Sequence, residues 1–354
     1  MASRQAVVIV AWAWPALSLI ALLAAIVAAA ALWGGSITDR VVTDALVKIV
    51  IVVGLYIFIG NSGVMSFGSI AFMAIGAYAA AWQTCCPRLK PINMSGLPDF
   101  LRLNTVDLLP AALSSVTFAT VLAAIIGFPI MRLSGLAASI ATFAVLAVVN
   151  VIYGNWDRVT LGTNSVVGIP RYVDMWIALG CAALAIVAAY LYQRSPSGRR
   201  LRAASQDEVA AKAAGIDVPR ERLIAWTLSA AFVGLGGVLY AHNIGVITIN
   251  NFYLDMTFIT LAMLVIGGLR SLSGAVLGVV VLATAQELLR QVELGFTVGG
   301  IAIKSPPGVQ EVVIGVAMVA ILVLRPAGLT GGREFRWPLG PRDGEKGRVR
   351  ARLH

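Results

Sequence analysis

The chain predicts an all-α integral membrane protein of about ten transmembrane helices, with both termini cytoplasmic. Three observations carry that reading: composition, the lengths of the apolar runs, and the placement of Lys and Arg. The 354 residues are 59% hydrophobic and 12% charged, with a mean hydropathy of +0.86. A soluble domain carries about 25% charged residues, so this chain cannot cover itself for water. The first apolar run, about Val7 to Trp33, is longer than a signal-peptide core. It is long enough to cross a bilayer of about 30 Å at 1.5 Å per residue, so no cleavable leader is expected.

Apolar runs punctuated by charge, Gly or Pro place spans near 9–33, 42–60, 66–83, 108–131, 135–153, 173–193, 223–243, 256–270, 274–292 and 309–325. The second and third are nearly continuous, which suggests a broken or re-entrant helix around residues 60–66. Residues 1–330 then form the membrane domain, and 331–354 a basic, flexible tail with few apolar side chains.

Orientation follows from the Lys/Arg bias. With the N-terminus inside, the cytoplasmic side receives seven Lys/Arg in 194–222 and seven more beyond Gly328. Arg4, Arg132, Arg270 and Arg325 join them there. The other side holds only Arg40, Arg88, Lys90, Arg102, Arg158, Arg171 and Lys304. An odd number of spans would put one of the two basic segments on the wrong side. Membrane orientation therefore accounts for the net charge of +10, and nucleic acid is not an expected partner. Lipid is.

The segment Arg194–Arg222 is a hydrophilic island between long apolar runs. Ser205 and Glu208 have the spacing of a capping box, and Gly215 suits a helix stop. Between them lie Val209, Ala210, Ala211, Ala213 and Ala214, all small. The spacing predicts one short helix over 205–215. Two readings stand: a helix made to dock a soluble partner, or an amphipathic loop helix resting on the membrane surface.

Chemistry-bearing residues are few. Asp44 and Lys48 are spaced as an i,i+4 pair, and Glu287 and Arg290 as an i,i+3 pair; each pair can neutralise itself near a span end. The two histidines are His242, near a span end, and His354. Cys85 and Cys86 are adjacent and Cys181 falls in a span, with no metal-ligand spacing. The HExxH, GxSxG and GxxxxGK[ST] patterns are absent from the sequence. No nucleophile–base set or metal set points to an enzyme. The lack of an inverted repeat and of a deep unpaired charge weighs against a self-sufficient ion-coupled transporter.

Three glycine-rich stretches remain. The first runs from Gly60 through Asn61, Ser62, Gly63, Ser66, Gly68 and Ser69 to Phe72, Gly76, Ala77 and Tyr78. The second is Thr160-Leu161-Gly162-Thr163-Asn164-Ser165, then Gly168-Ile169-Pro170. The third is Gly267-Gly268-Leu269-Arg270-Ser271-Leu272-Ser273-Gly274. Taken singly, each fits close helix packing or a turn. Asn61, Ser62, Ser66 and Ser69, with Thr142 and Asn150, could equally line a pathway or bond between helices.

Taken together and in order, these stretches resemble the permeases of branched-chain amino acid ABC importers, of the LivM type. The first is similar to that family's G-x-x-G-x-x-S-x-G-x-A-x-F-x-x-x-G-A-Y, and Thr160 to Pro170 to its T-G-G-S-N-G-x-x-G-I-P loop. Ser195 to Ile216 matches its S-x-x-G-R-x-L-x-A segment through Gly198, Arg199, Leu201, Ala203, Ala210, Ala211 and Gly215. Gly267–Gly274 and Arg325-Pro326-Ala327-Gly328-Leu329 echo the last two motifs, so the likeness covers about residues 42–330. Ser69, Leu161, Ser165 and Arg270 depart from the family pattern; the first three lie where the pathway could pass, which bears on cargo rather than class.

The resemblance implies a non-enzymatic subunit that forms half of a translocation pore in a bacterial inner membrane. A sister permease, two ABC ATPases that bind ATP and Mg, and an extracytoplasmic binding protein complete the importer. No cofactor is expected on this chain. Ser205, Glu208, Ala210, Ala211, Ala214 and Gly215 become the candidate coupling helix, and a charge at Ala211 or Ala214 is expected to disturb docking. Gly60, Asn61, Gly63, Ser66, Gly68, Ser69, Phe72, Thr163 and Asn164 become pathway or motif candidates. Branched-chain or related amino acids are the expected cargo; urea, short amides or aromatic acids are the same-family alternative.

Overall fold

A computed structural model describes residues 2–85, 90, 94–294, 296–298, 301–303, 306, 308–325, 328–332 and 334, with side chains from Trp14 onward except at 294, 296–298, 301–303, 310, 311, 318, 321 and 322. Cys86, Arg88, Lys304, Pro326, Ala327 and the tail beyond residue 334 lie outside the described residues.

In chain order the helices are α1 (Ala2–Trp33), α2 (Ser36–Ser62), α3 (Ser69–Thr84), α4 (Asp99–Leu103), α5 (Leu108–Ile130), α6 (Gly135–Gly154) and α7 (Asp157–Thr160). Strand β1 (Val166–Val167) precedes α8 (Met175–Arg194), α9 (Pro196–Ala204), α10 (Glu208–Ala213) and α11 (Val218–Ile244). Then come β2 (Val246–Ile247), a 3-10 turn at Ile249–Phe252, α12 (Leu254–Gly267), α13 (Leu272–Leu294), β3 (Phe296–Val298), β4 (Ile301–Ile303) and α14 (Val309–Leu324). Two small antiparallel ribbons, β1 with β2 and β3 with β4, are additions that an all-α reading did not foresee. They sit in connections, where no hydrophobic period announces them.

Among the described residues, eight helices are long and apolar enough to cross a membrane, α12 being counted together with the 3-10 turn before it as Ile249–Gly267. The protein is a multi-pass membrane protein. The expectation of ten is met only in part, because α3 and α14 have 16 residues each, about 24 Å at 1.5 Å per residue. For α3 the physical reason is its surroundings. Nearly all of its side chains are buried in protein, so the hydrocarbon thickness does not set its length.

The centre of the bundle is α2 and α3 packed on α11, with α5, α8 and α13 around them. Glycine makes the α3–α11 contact close. A Cβ at Gly237 would fall on the Met73 carbonyl oxygen, and one at Gly76 on that of Gly234. Trp226 of α11 fills the adjoining space, edge-on to Phe58 and Phe72 at 5.2 and 5.3 Å.

Successive long helices alternate in direction. The end of α2, the α5–α6 turn and the start of α11 meet segment 194–222 on one face, through Arg202–Asn61 and Arg222–Leu133 contacts. The opposite face gathers the start of α2, the ends of α3, α11 and α13, and the β1–β2 ribbon.

Candidate functional site

Segment 194–222 builds two short helices rather than the single one expected. α9 starts at Ser195, whose Oγ accepts from the Gly198 amide at 3.1 Å, with Pro196 at the first helical position. Ser205 closes this helix: its amide donates to the Leu201 carbonyl at 2.9 Å and its hydroxyl to the Arg202 carbonyl at 2.7 Å. The proposed Ser205–Glu208 capping box is therefore not formed. Asp207 caps α10 instead, its Oδ1 accepting from the Val209 and Ala210 amides at 2.9 Å each. A short carboxylate one residue before the helix reaches both amides and suits their partial positive charge.

The stop at Gly215 forms as expected. Gly215 has φ +81°, its amide donates to the Lys212 carbonyl, and the Ile216 amide donates to that of Ala211, both at 3.0 Å. This double bond pattern is the Schellman closure, in which a left-handed residue is needed and glycine costs least.

Exposure divides the alanines. Val209, Ala210, Ala213, Ala214 and Gly215 face outward, whereas Ala211 is 6% exposed and packs with Ala204, Val218 and Ile216. Ala211 thus holds the segment together rather than presenting a surface. Glu208 also has a new partner set. Its carboxylate meets Lys212 at 2.9 Å and Arg222 at 2.7 Å. The hydrogen bond from Lys212, joined by that from Arg222 and by both positive charges, holds its carboxyl below the usual range against the opposing push from burial.

Three further ties bind the segment to the bundle. Arg222 donates to the Leu133 carbonyl at 3.3 Å in the α5–α6 turn. Glu221, at the start of α11, accepts from Arg200 at 3.2 Å and from the Ser197 hydroxyl. Arg202 donates to Asn61 Oδ1 at 2.6 Å, Tyr56 OH at 2.7 Å and Gln193 Oε1 at 3.0 Å.

Asn61 stands in the last turn of α2. The break after it runs over residues 63–68, with Gly63 in the left-handed region at φ +70°. Most of the polar candidates here are buried and bonded. Asn61 Nδ2 donates to the Ile57 carbonyl at 2.8 Å, and Ser66 and Ser69 share a 2.9 Å hydroxyl pair. Ser62 accepts from the Val64 amide, and Ser139 and Thr142 of α6 bond the break at Met65 and Phe67. Gly68 abuts the Thr142 backbone, so α3 begins about 10 Å along α6 from its first residue. Asn150 Nδ2 is buried with no hydrogen-bond partner.

The third motif lies beside the first: a Cβ at Gly60 would stand 2.7 Å from the Leu269 carbonyl oxygen. The turn that follows Arg325 docks there too. The amides of Leu329 and Thr330 donate to the Ile266 and Gly267 carbonyls at 2.8 and 3.2 Å. Glu334 accepts from the Leu272 and Ser273 amides at 2.7 and 3.0 Å, which caps α13. Four motifs thus gather on one face. Thr163 and Asn164 do not join them; they occupy an exposed turn on the opposite face, after Leu161 at φ +64°.

On that opposite face an open groove of about 640 Å³ is lined by Asp39, Arg40, Asp44, Arg171 and Asp174, among others. The sequence-spaced ion pairs Asp44–Lys48 and Glu287–Arg290 form at 2.8 and 2.7 Å, and Lys48 also reaches Gln286 at 3.3 Å.

A multi-span bundle with a helix break and a capped, outward-facing helix on one face is the architecture of a multi-pass membrane protein. Residues 37–322 match the family model described as "Branched-chain amino acid transport system / permease component", and the chain belongs to that family. It is 26% identical over 326 residues to the high-affinity branched-chain amino acid transport system permease protein LivM of Escherichia coli K12, covering 82% of this chain and 69% of that one. It is 23% identical over 305 residues to the probable LivH of Methanocaldococcus jannaschii, covering 80% and 88%. The guanosine ABC transporter permease protein NupQ of Bacillus subtilis is 28% identical over 227 residues, covering 60% and 69%. No solved structure matches. The chain is a permease subunit of an ABC importer and not an enzyme.

Proposed function

We propose that this chain forms half of a translocation pore for branched-chain or related amino acids, paired with a sister permease. Segment 194–222 docks one of two ABC ATPases, which bind and hydrolyse Mg-ATP; this chain holds no cofactor. α3 and α14 complete ten crossings of a bacterial inner membrane, with both termini and the docking segment in the cytoplasm. An extracytoplasmic binding protein delivers cargo to the face that carries Thr163 and Asn164.

The observation that carries this reading is the outward face of α10. Val209, Ala210, Ala213 and Ala214 are exposed on a helix capped at both ends and held to α11 by Glu208–Arg222, in a segment whose α9 is tied to α2 and α11. Small side chains let a partner groove approach closely, and the ties make the helix move with the bundle rather than fray. A helix resting passively on lipid needs neither.

Cargo follows the LivM-named relatives. One relative bears a guanosine name; urea, short amides and aromatic acids stand as the alternative cargo classes. The test is purification from the native membrane in mild detergent, then uptake in proteoliposomes. Co-elution with a second permease and two P-loop ATPases, with ATP-driven uptake of leucine, isoleucine or valine, is expected. Uptake by the lone chain on an ion gradient without ATP would overturn the reading.

A further inference from the structure

We propose that Arg202 is the positioning residue that transmits movement of the docked segment to the break between α2 and α3. The inference rests on the importer reading above and adds the route. Arg202 is the side chain of α9 that grips a helix distant in sequence: Asn61 is 141 residues away and Tyr56 is 146. The other ties of the segment lead to α11, its own continuation, or to the α5–α6 turn.

The geometry suits a pull rather than a static prop. The guanidinium fork places Nε on Asn61 and one Nη on both Tyr56 and Gln193, a planar multi-donor grip that a lysine cannot reproduce. Tyr56 donates onward to Gln193 Oε1 at 2.7 Å, so the ends of α2 and α8 are clasped together. All three acceptors are buried in the bundle. The acceptors are neutral, and the salt bridges among the described residues do not include Arg202. A cation held by neutral dipoles forms no fixed ion pair, so the clasp can re-form as the helices shift.

Position decides what the clasp moves. Asn61 precedes the left-handed Gly63 by two residues, and the Ser205 side chain lies 3.4 Å from where a Cβ at Gly63 would stand. The segment therefore holds α2 immediately before its joint. The far side of that joint is pinned to α6 by Ser139 and Thr142. Displacing α9 relative to Ser139 and Thr142 would change the 63–68 connection.

The experiment uses the assembled complex with Cys85, Cys86 and Cys181 replaced by serine and Met65→Cys as a reporter in the break. Maleimide labelling of that cysteine is timed without nucleotide and after trapping with Mg-ATP and vanadate, alongside ATPase rate. Nucleotide trapping is expected to change the labelling rate about tenfold, and Arg202→Gln to abolish most of that change, within the range by which single side chains alter coupling. Subunit assembly and basal ATPase rate should stay intact. Asn61→Ala should reproduce the loss, and the double variant should be no worse than Arg202→Gln alone. A full labelling response in Arg202→Gln, or additive losses, would overturn the proposal. If Arg202→Gln fails to assemble, Asn61→Ala decides the matter by the same readout. If the unsubstituted complex contains no ATPase, or its labelling ignores nucleotide, the importer reading fails first and by a distinct result.

Discussion

The Glu208 carboxylate lies 2.7 Å from the Arg222 guanidinium, which also donates to the Leu133 carbonyl at 3.3 Å. One arginine thereby fixes α10 both to the start of α11 and to the α5–α6 turn. The Glu208 carboxyl is held below its ordinary value by Lys212 and Arg222, so its contribution is present above the unfolded value, about 4.3 for Glu. It is lost as pH falls through the lower folded value. Glu208→Gln should therefore lower the thermal midpoint at pH 7, with the gap to the unsubstituted protein closing below about pH 4. Melting curves in detergent at stepped pH check this, and a gap that stays constant to pH 3 would refute it.

The end caps of α10 make a second contrast. Asp207 accepts from two amides at the helix start, whereas the Ser205 hydroxyl bonds back into α9. Asp207→Ala should destabilise α10 by about 1 kcal/mol and speed amide exchange over 208–213. Ser205→Ala should leave that exchange unchanged. Hydrogen exchange on the two variants distinguishes them, and equal effects would restore the capping box.

Two alanines in the same helix should respond differently to charge. Ala211 is packed against Ala204 and Val218, while Ala213 is exposed. Ala211→Glu forces a charge into the apolar contact with Ala204 and Val218, so the segment itself should unfold, at a cost of several kcal/mol. Ala213→Glu should leave thermal stability unaltered and weaken ATPase co-purification. Loss of ATPase binding in Ala211→Glu alone, with stability kept, would reverse these assignments.

The bundle was legible because apolar length is written locally in the sequence; each expected span falls on a helix, with α1 and α2 beginning seven and six residues before the expected starts. The break after Gly63 and the stop at Gly215 were legible for the same reason, since both need a residue free of Cβ strain. Asp207 was not distinguished from Ser205 because both are good caps, and only the path of α9 decides between them. The outward or inward choice at Ala211 depends on Ala204 and Val218 folding over it. Arg202 was read only as one more cytoplasmic charge. Its partners are more than a hundred residues away, and nothing in a charge count singles it out. Leu161, noted as a departure where glycine is usual, sits at φ +64°, which gives the family's glycine a backbone reason.

Glycine contacts give a last prediction of opposite signs for one chemical change. At Gly237 an added methyl would meet the Met73 carbonyl oxygen, and both atoms belong to helical backbone that cannot yield locally. Gly237→Ala should push α3 from α11 and cost about 1–3 kcal/mol. At Gly180, in the middle of α8, nothing lies within 4 Å of the added Cβ. There the change removes a flexible residue from a helix interior and should stabilise by up to about 1 kcal/mol. Thermal midpoints of the two variants in the same detergent test the pair. A stabilising Gly237→Ala would mean that the α3–α11 contact yields more readily than so close a backbone approach implies. A destabilising Gly180→Ala would mean that this face of α8, open in the single chain, is covered by another subunit in the assembled protein.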